Sequence, residues 1–134
     1  MAINLRNKAG KTIKLSTRHW TVMLTLAETF GWSPAGTIAP LGWNGSGEWG
    51  GAYDTNDGQA VSDEDAKALA RHLHGAVVSP QLPVALTDVI NYVEKAAEAR
   101  GITILDAMKM EPNEFSNIFS PLLMFLYDGS FYIE

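Results

Sequence analysis

The chain has 134 residues, which fits one domain, and its 46% hydrophobic and 19% charged residues are typical of a globular protein. The longest apolar run, at 121–127, is far shorter than the roughly 20 residues that cross a bilayer, so we expect no membrane span. A net charge of −5 argues against binding of a nucleic-acid backbone, and the absence of cysteine and of a signal-peptide pattern predicts a cytoplasmic protein.

The first segment, INLRNKAGKTIKLS at 3–16, alternates apolar and polar residues on both sides of a glycine-containing turn. This pattern predicts a β-hairpin with one apolar face. Half of the 10 basic residues lie between Arg6 and Arg18, and we interpret the lysines as charges that keep an exposed hairpin soluble. The alternative is a local basic edge that touches a phosphate.

Residues 17–30 carry apolar side chains at helical spacing, which predicts a first helix. Ser16 or Thr17 is its candidate N-cap, and Gly31 is its candidate stop. Part of the segment also alternates as a strand would, but its length and the glycine favour the helix.

Residues 32–59 form a long segment rich in glycine, with prolines at 34 and 40, and contain more than half of the 12 glycines of the chain. A loop of this length inside a compact domain is usually functional or disordered. Its three tryptophans argue against disorder, because disordered segments contain few aromatic residues. We therefore expect an ordered loop that packs on the body of the protein.

The second helix has the clearest start in the chain. Ser62 is a natural N-cap, the acids at 63–65 favour the positive end of the helix dipole, and Val61 and Ala66 occupy the positions of a hydrophobic staple. Gly75 is a plausible stop.

A third helix is predicted with Thr87 as its N-cap and Gly101 after its end. Farther on, the apolar period of 115–126 crosses Pro121. Either one helix kinks there, or Ser120 and Pro121 open a second helix, which suits a serine cap followed by a proline.

The last residues, DGSFYIE at 128–134, predict a turn and an edge strand after a helix, and a two-residue hairpin within 122–134 is the alternative. Because a lone hairpin is marginally stable, we expect this strand to join the N-terminal hairpin. The predicted fold class is α+β, with an N-terminal β-hairpin and a C-terminal edge strand packed on about four helices, and a long Gly/Trp-rich loop. Residues 1–134 are predicted to form a single globular domain.

The chain lacks complete motifs for metal binding and catalysis. DTNDG at 54–58 resembles the start of a calcium loop, but Gln59 occupies the position of the sharp-turn glycine and Asp65 stands where glutamate belongs. His72 and His74 lie two residues apart on a predicted helix and cannot chelate one metal. No nucleophile elbow and no phosphate-binding or dinucleotide glycine motif is present. We therefore expect no enzyme, no catalytic residue, no metal and no cofactor.

The candidate binding residues are Trp43, Glu48, Trp49, Tyr53 and Asp54, all in the long loop. Aromatic rings flanked by acids are typical of sugar sites, while tryptophan and tyrosine are also enriched as anchors of protein interfaces. The third interpretation is that the rings pack in the core, as large aromatic side chains usually do.

Four segments, GWSPAGT (31–37), WGGAY (49–53), NDGQAVSDEDAKALARHL (56–73) and GSFYI (129–133), together resemble a group of small bacterial proteins of unknown function. Those proteins combine G-W-x-P-x-G-T, W-x-G-x-Y and N-D-G-Q-x-V pieces with a glycine-phenylalanine-x-isoleucine end. None of these motifs has a known catalytic meaning. The chain departs from the pattern where DGS replaces a double glycine.

An acidic, cysteine-free domain with an aromatic loop predicts a small cytoplasmic protein-binding module, and more specifically a bacterial immunity or inhibitor protein that neutralises a toxin or enzyme by direct binding. Its partner would be another protein, such as a basic toxin, with no nucleic acid and no membrane involved. The alternative is a small-ligand or carbohydrate-binding domain, or a hydrolase, that uses the 43–54 loop. A purely structural role is the third hypothesis.

Overall fold

The protein is described by a computed structural model that covers residues 2–43, 45, 47–105 and 108–134. The long loop is therefore described except at positions 44 and 46. The strands are β1 (Ala2–Asn7), β2 (Thr12–Ser16), β3 (Gln59–Val61) and β4 (Phe131–Ile133), and the α-helices are α1 (Thr17–Thr29), α2 (Asp63–Val78), α3 (Leu82–Ala99) and α4 (Phe119–Tyr127). A short 3₁₀ helix spans Pro112–Phe115. The predicted α+β class is confirmed.

The strands form one antiparallel sheet in the order β2-β1-β4-β3. Leu5 of β1 lies between Ile13 of β2 and Ile133 of β4, and all three side chains point toward the helices. The opposite face of the sheet carries polar residues such as Arg6, whose guanidinium lies 5.0 Å from the centre of the Tyr132 ring. One face of the sheet is thus covered by helices and the other faces solvent.

The prediction that the last strand is an edge strand was wrong. β4 is an interior strand, because β3 pairs with its second side and places Ala60 opposite Tyr132. β3 has only three residues, which is too few to show an alternating pattern. Because these residues directly precede the N-cap of α2, the sequence pattern indicates a helix start there.

The core is built around Trp20, which is fully buried on α1. Its ring lies edge-on to Phe131 at 6.3 Å, and its indole N–H donates a hydrogen bond to the carbonyl of Tyr53 at 2.7 Å. The same helix therefore contacts both the sheet and the long loop.

The predicted starts of the first two helices are confirmed. The hydroxyl of Ser16 accepts a hydrogen bond from the amide of His19, and that of Ser62 accepts one from the amide of Asp65. Gly31 has a φ of +105° and follows the end of α1. Gly75, in contrast, lies within α2, which continues to Val78.

The third helix begins earlier than predicted. It starts at Leu82 with Pro83 in its first turn, where the missing N–H of proline has no helical partner to lose. The hydroxyl of Thr87, the predicted cap, donates to the carbonyl of Pro83 inside the helix at 2.9 Å. At the C-terminal end, α4 is separate from the 3₁₀ helix, so the two-helix alternative is correct in that respect. The predicted serine cap is wrong, because Ile118 is the N-cap of α4 and both Ser120 and Pro121 lie inside its first turn.

Within the residues described, no helix is both long enough and apolar enough to cross a membrane.

Candidate interaction surface

The long loop between α1 and β3 is held to α2 by one buried carboxylate. Asp65 accepts hydrogen bonds from the indole N–H of Trp32 at 3.1 Å, from the amide of Ala35 at 3.4 Å and from the hydroxyl of Tyr53. Asp65 is only 4% exposed. Because a buried carboxylate needs several donors, these three bonds make Asp65 the anchor of the loop.

Tyr53 lies at the inner side of the loop. Its hydroxyl accepts a hydrogen bond from the amide of Gly36 at 2.9 Å, and its ring packs edge-on against Trp32 at 5.3 Å. Burial is the largest cause that raises the pKa of the Tyr53 hydroxyl, and the hydrogen bond to Asp65 is the second. The hydroxyl therefore stays protonated and can donate. Its ring and hydroxyl are engaged within the protein, so Tyr53 is not positioned to stack on a ligand.

A second anchor is the fully buried side chain of Gln59. Its amide nitrogen donates to the carbonyls of Ala52 at 3.1 Å and Thr55 at 2.7 Å, and its oxygen accepts from the amide of Asp57 at 2.9 Å. Gly58 makes the turn with a φ of +88°. These bonds close the segment before β3.

A third anchor joins the two ends of the loop tip. The hydroxyl of Thr37 donates to the carbonyl of Ala52 at 2.7 Å, and the indole N–H of Trp49 lies 3.0 Å from that hydroxyl oxygen. Gly51 has a φ of +75°, and a Cβ there would lie 3.3 Å from the Cα of Gly36. The segments 31–37, 49–53 and 56–61 are therefore packed against one another.

The tip of the loop exposes large apolar side chains. Leu41 is fully exposed, Ile38 is 58% exposed and Trp43 is 39% exposed. The Trp43 ring lies edge-on to the ring of the half-buried Trp49 at 4.8 Å. The Trp43 ring also covers Gly45, where an added Cβ would overlap the ring. We call Ile38, Leu41, Trp43 and Trp49 the loop surface.

The five predicted residues are thus divided by the structure. Trp43 and Trp49 come together, Glu48 and Asp54 are exposed on the same loop, and Tyr53 is turned inward. Three apolar cavities lie along α4 and between α1 and α3, and none of those three is lined by any of the five residues. The ligand-binding alternative requires three aromatic rings, and one of them, that of Tyr53, is not positioned to contact a ligand.

Two exposed residues of the loop surface were missed by the sequence analysis. Leu41 stands between Pro40 and Gly42, and an apolar residue flanked by two turn formers is a signal of exposure that could have found it. Ile38 gave no such signal, because its main chain forms an isolated bridge with Ala60 that local patterns do not show.

A cluster around His19 was also missed. Its Nδ1 lies 2.7 Å from the hydroxyl of Ser16, and its Nε2 lies 2.8 Å from a carboxylate oxygen of Glu114 in the 3₁₀ helix. The hydrogen bond with His19 lowers the pKa of Glu114. Because the Ser16 oxygen also caps α1, we interpret the cluster as a tie between this helix and the 3₁₀ helix.

Comparison of the chain with protein-family models, with curated proteins and with solved structures finds no match. In the described part of the chain, no group of three or more histidine, aspartate or glutamate side chains is placed to hold a metal ion.

Proposed function

We propose that this chain is a protein-binding module whose loop surface contacts a partner protein. In its most specific form, the proposal is that it acts in the cytoplasm as an immunity or inhibitor protein that neutralises a toxin or enzyme of basic charge. The observation that carries the proposal is the exposure of Leu41 and Trp43 on a loop that is otherwise firmly anchored.

Exposed side chains of this size are suited to act as anchors of an interface. Burial of a leucine or a similar apolar side chain stabilises a complex by about 1.5–3 kcal/mol, and tryptophan is enriched among the residues that dominate binding. The hydrogen bonds of Asp65, Gln59 and Thr37 hold the loop before any partner arrives. Binding then requires little ordering of the loop, which lowers its entropic cost.

Charge favours a basic partner. The chain carries a formal net charge of −5, and Glu48, Asp54 and Asp57 are exposed on the loop itself. Complementary charge accelerates association, and buried aromatic anchors slow dissociation. This combination suits an inhibitor that covers the active surface of a basic enzyme.

The experiment is isothermal titration of this protein with each basic protein that is encoded beside its gene. We expect tight binding by the wild type and a loss of at least about tenfold for Leu41→Ser combined with Trp43→Ala. The matched control is Tyr92→Ala on α3, because Tyr92 is 65% exposed but lies outside the loop. Absence of binding by the wild type, or equal losses in the loop variant and the control, would contradict the proposal.

A further inference from the structure

The sheet has one edge that the described residues leave open. In the order β2-β1-β4-β3, β2 pairs with no described strand other than β1. Asn4 of β1 exchanges both main-chain hydrogen bonds with Glu134, at 2.9 and 2.7 Å, so its partner Lys14 cannot receive them. Bonding alternates along an antiparallel pair, and the N–H and C=O groups of Thr12 and Lys14 therefore face outward.

An apolar groove lies beside this open edge, between β2 and α4. It has a volume of about 420 Å³ and includes Ile13, Pro121, Met124 and Phe125, with the Lys11–Asp128 ion pair also in its lining. We call it the edge groove. Met124 is 70% exposed and also lines an adjoining cavity of about 560 Å³ between α2 and α4. An edge strand can be protected from aggregation without an apolar groove beside it. The groove beside β2 therefore favours a binding role for this edge.

The alternation of a strand relates the edge to the groove. The side chains of Thr12 and Lys14 lie on the solvent face of the sheet, and that of Ile13 lies on the helix face. A segment paired with β2 would place every second side chain beside Ile13 and the edge groove. Its remaining side chains would lie beside Lys14 on the solvent face.

We infer that β2 and the edge groove form a second protein-binding site, which accepts an extended segment of a partner protein by strand addition. The segment alternates apolar residues, which enter the groove, with acidic residues, which lie beside Lys14. This site is separate from the loop surface, and neither proposal depends on the other.

The charges of the hairpin decide between an acidic partner and a second copy of the chain. Lys14 lies on the open strand and is exposed, whereas Lys11 before it is already paired with Asp128. Pairing of β2 with β2 of a second copy would bring the Lys14 side chains of both copies to one seam, where like charges are unfavourable. An acidic segment meets Lys14 with favourable charge.

The test is a nuclear magnetic resonance titration of the isotope-labelled full chain with a short capped peptide of alternating valine and glutamate. We expect shifts of the Thr12 and Lys14 amides and of the Ile13 and Met124 side chains. A matched peptide of alternating valine and lysine should bind about tenfold more weakly. No shift at Thr12 and Lys14, or equal binding of the two peptides, would overturn the inference.

Two variants separate strand addition from non-specific contact. Thr12→Pro removes an outward N–H at the first residue of β2, where proline is tolerated, and should abolish the shifts, whereas Thr12→Val should retain them. Met124→Glu changes an exposed side chain of the groove and should also weaken binding of the acidic peptide. The loop variant Trp43→Ala should bind the peptide as the wild type does. A dimer of the free protein that Thr12→Pro dissociates would show a second copy as the occupant and overturn the assignment of an acidic partner.

Discussion

The two edges of the sheet are treated in opposite ways. At the β3 edge, Ile38 of the long loop exchanges both main-chain hydrogen bonds with Ala60, at 2.8 and 3.0 Å. At the β2 edge, Thr12 and Lys14 keep their outward groups open beside an apolar groove. One edge is thus closed by a distant part of the chain, while the other carries the exposed Lys14 and has outward groups that can still pair.

The largest effect is expected from removal of the anchor behind the closed edge. Asp65→Ala leaves Trp32, Ala35 and Tyr53 without their acceptor and should lower the free energy of unfolding by about 3 kcal/mol. Urea unfolding measures this loss. Glu64→Ala is the matched control, since Glu64 is exposed in the same helical turn and should change stability by less than about 0.5 kcal/mol. Similar losses in the two variants would show that Asp65 is not an anchor.

A proline placed at each edge compares them directly. Ala60→Pro removes the N–H that bonds to Ile38 and should cost about 2 kcal/mol, because a sheet hydrogen bond is lost and the loop is displaced. Thr12→Pro removes an N–H that faces solvent and should cost less than about 1 kcal/mol. Thermal unfolding of both variants gives the order. A larger loss for Thr12→Pro would mean that the β2 edge is not open.

Deletion of one hydroxyl tests the link between the anchor and the edge. Tyr53→Phe keeps the ring on Trp32 but removes the donor to Asp65 and the acceptor of the Gly36 amide. The expected loss is about 1–2 kcal/mol. Hydrogen exchange at the amides of Ile38 and Ala60 should become faster, while that of Leu15 in β2 should not change. Unchanged exchange at Ile38 and Ala60 would show that the hydrogen bond of Tyr53 to Asp65 does not stabilise the bridge at the β3 edge.

The smallest effect concerns alkaline pH. Burial, and to a smaller extent the hydrogen bond to Asp65, raises the pKa of Tyr53 above its ordinary value of 10.0. A group with a raised pKa contributes stability that is fully present below its unfolded pKa and is lost as the pH rises through its folded pKa. Stability of the wild type should therefore fall more steeply above pH 10 than that of Tyr53→Phe. Parallel slopes in denaturant titrations would contradict this.

The parts of the fold that depend on local signals could be predicted. Ser16 and Ser62 each cap a helix through an amide three residues ahead, and the hairpin follows from alternation around Gly10. β3 could not be predicted, because it is three residues long and pairs with a strand at the other end of the chain. The start of α3 was missed because Pro83 was interpreted as part of a connector, although proline is compatible with a first helical turn.

The candidate site could be predicted only in part. Asp65 was interpreted as one of three acids that favour the helix dipole, which fully explained its presence locally and concealed its contacts with the loop. Tryptophan is common both in protein cores and at interfaces. The sequence therefore does not distinguish the buried Trp32 from the exposed Trp43. The acceptor of the Trp32 indole is Asp65, which lies 33 residues farther along the chain, so local patterns do not show the contact.

The bond between Thr37 and Trp49 has a consequence for how this protein can diversify. It fastens the two ends of the loop tip at 3.0 Å, so the intervening residues begin and end at the same place. Substitutions or changes of length between Pro40 and Glu48, which spare the bridge of Ile38 with Ala60, would leave Asp65, Gln59 and the sheet undisturbed. Variants that recognise different partners could therefore arise by exchange of the tip alone, with the folded body inherited unchanged.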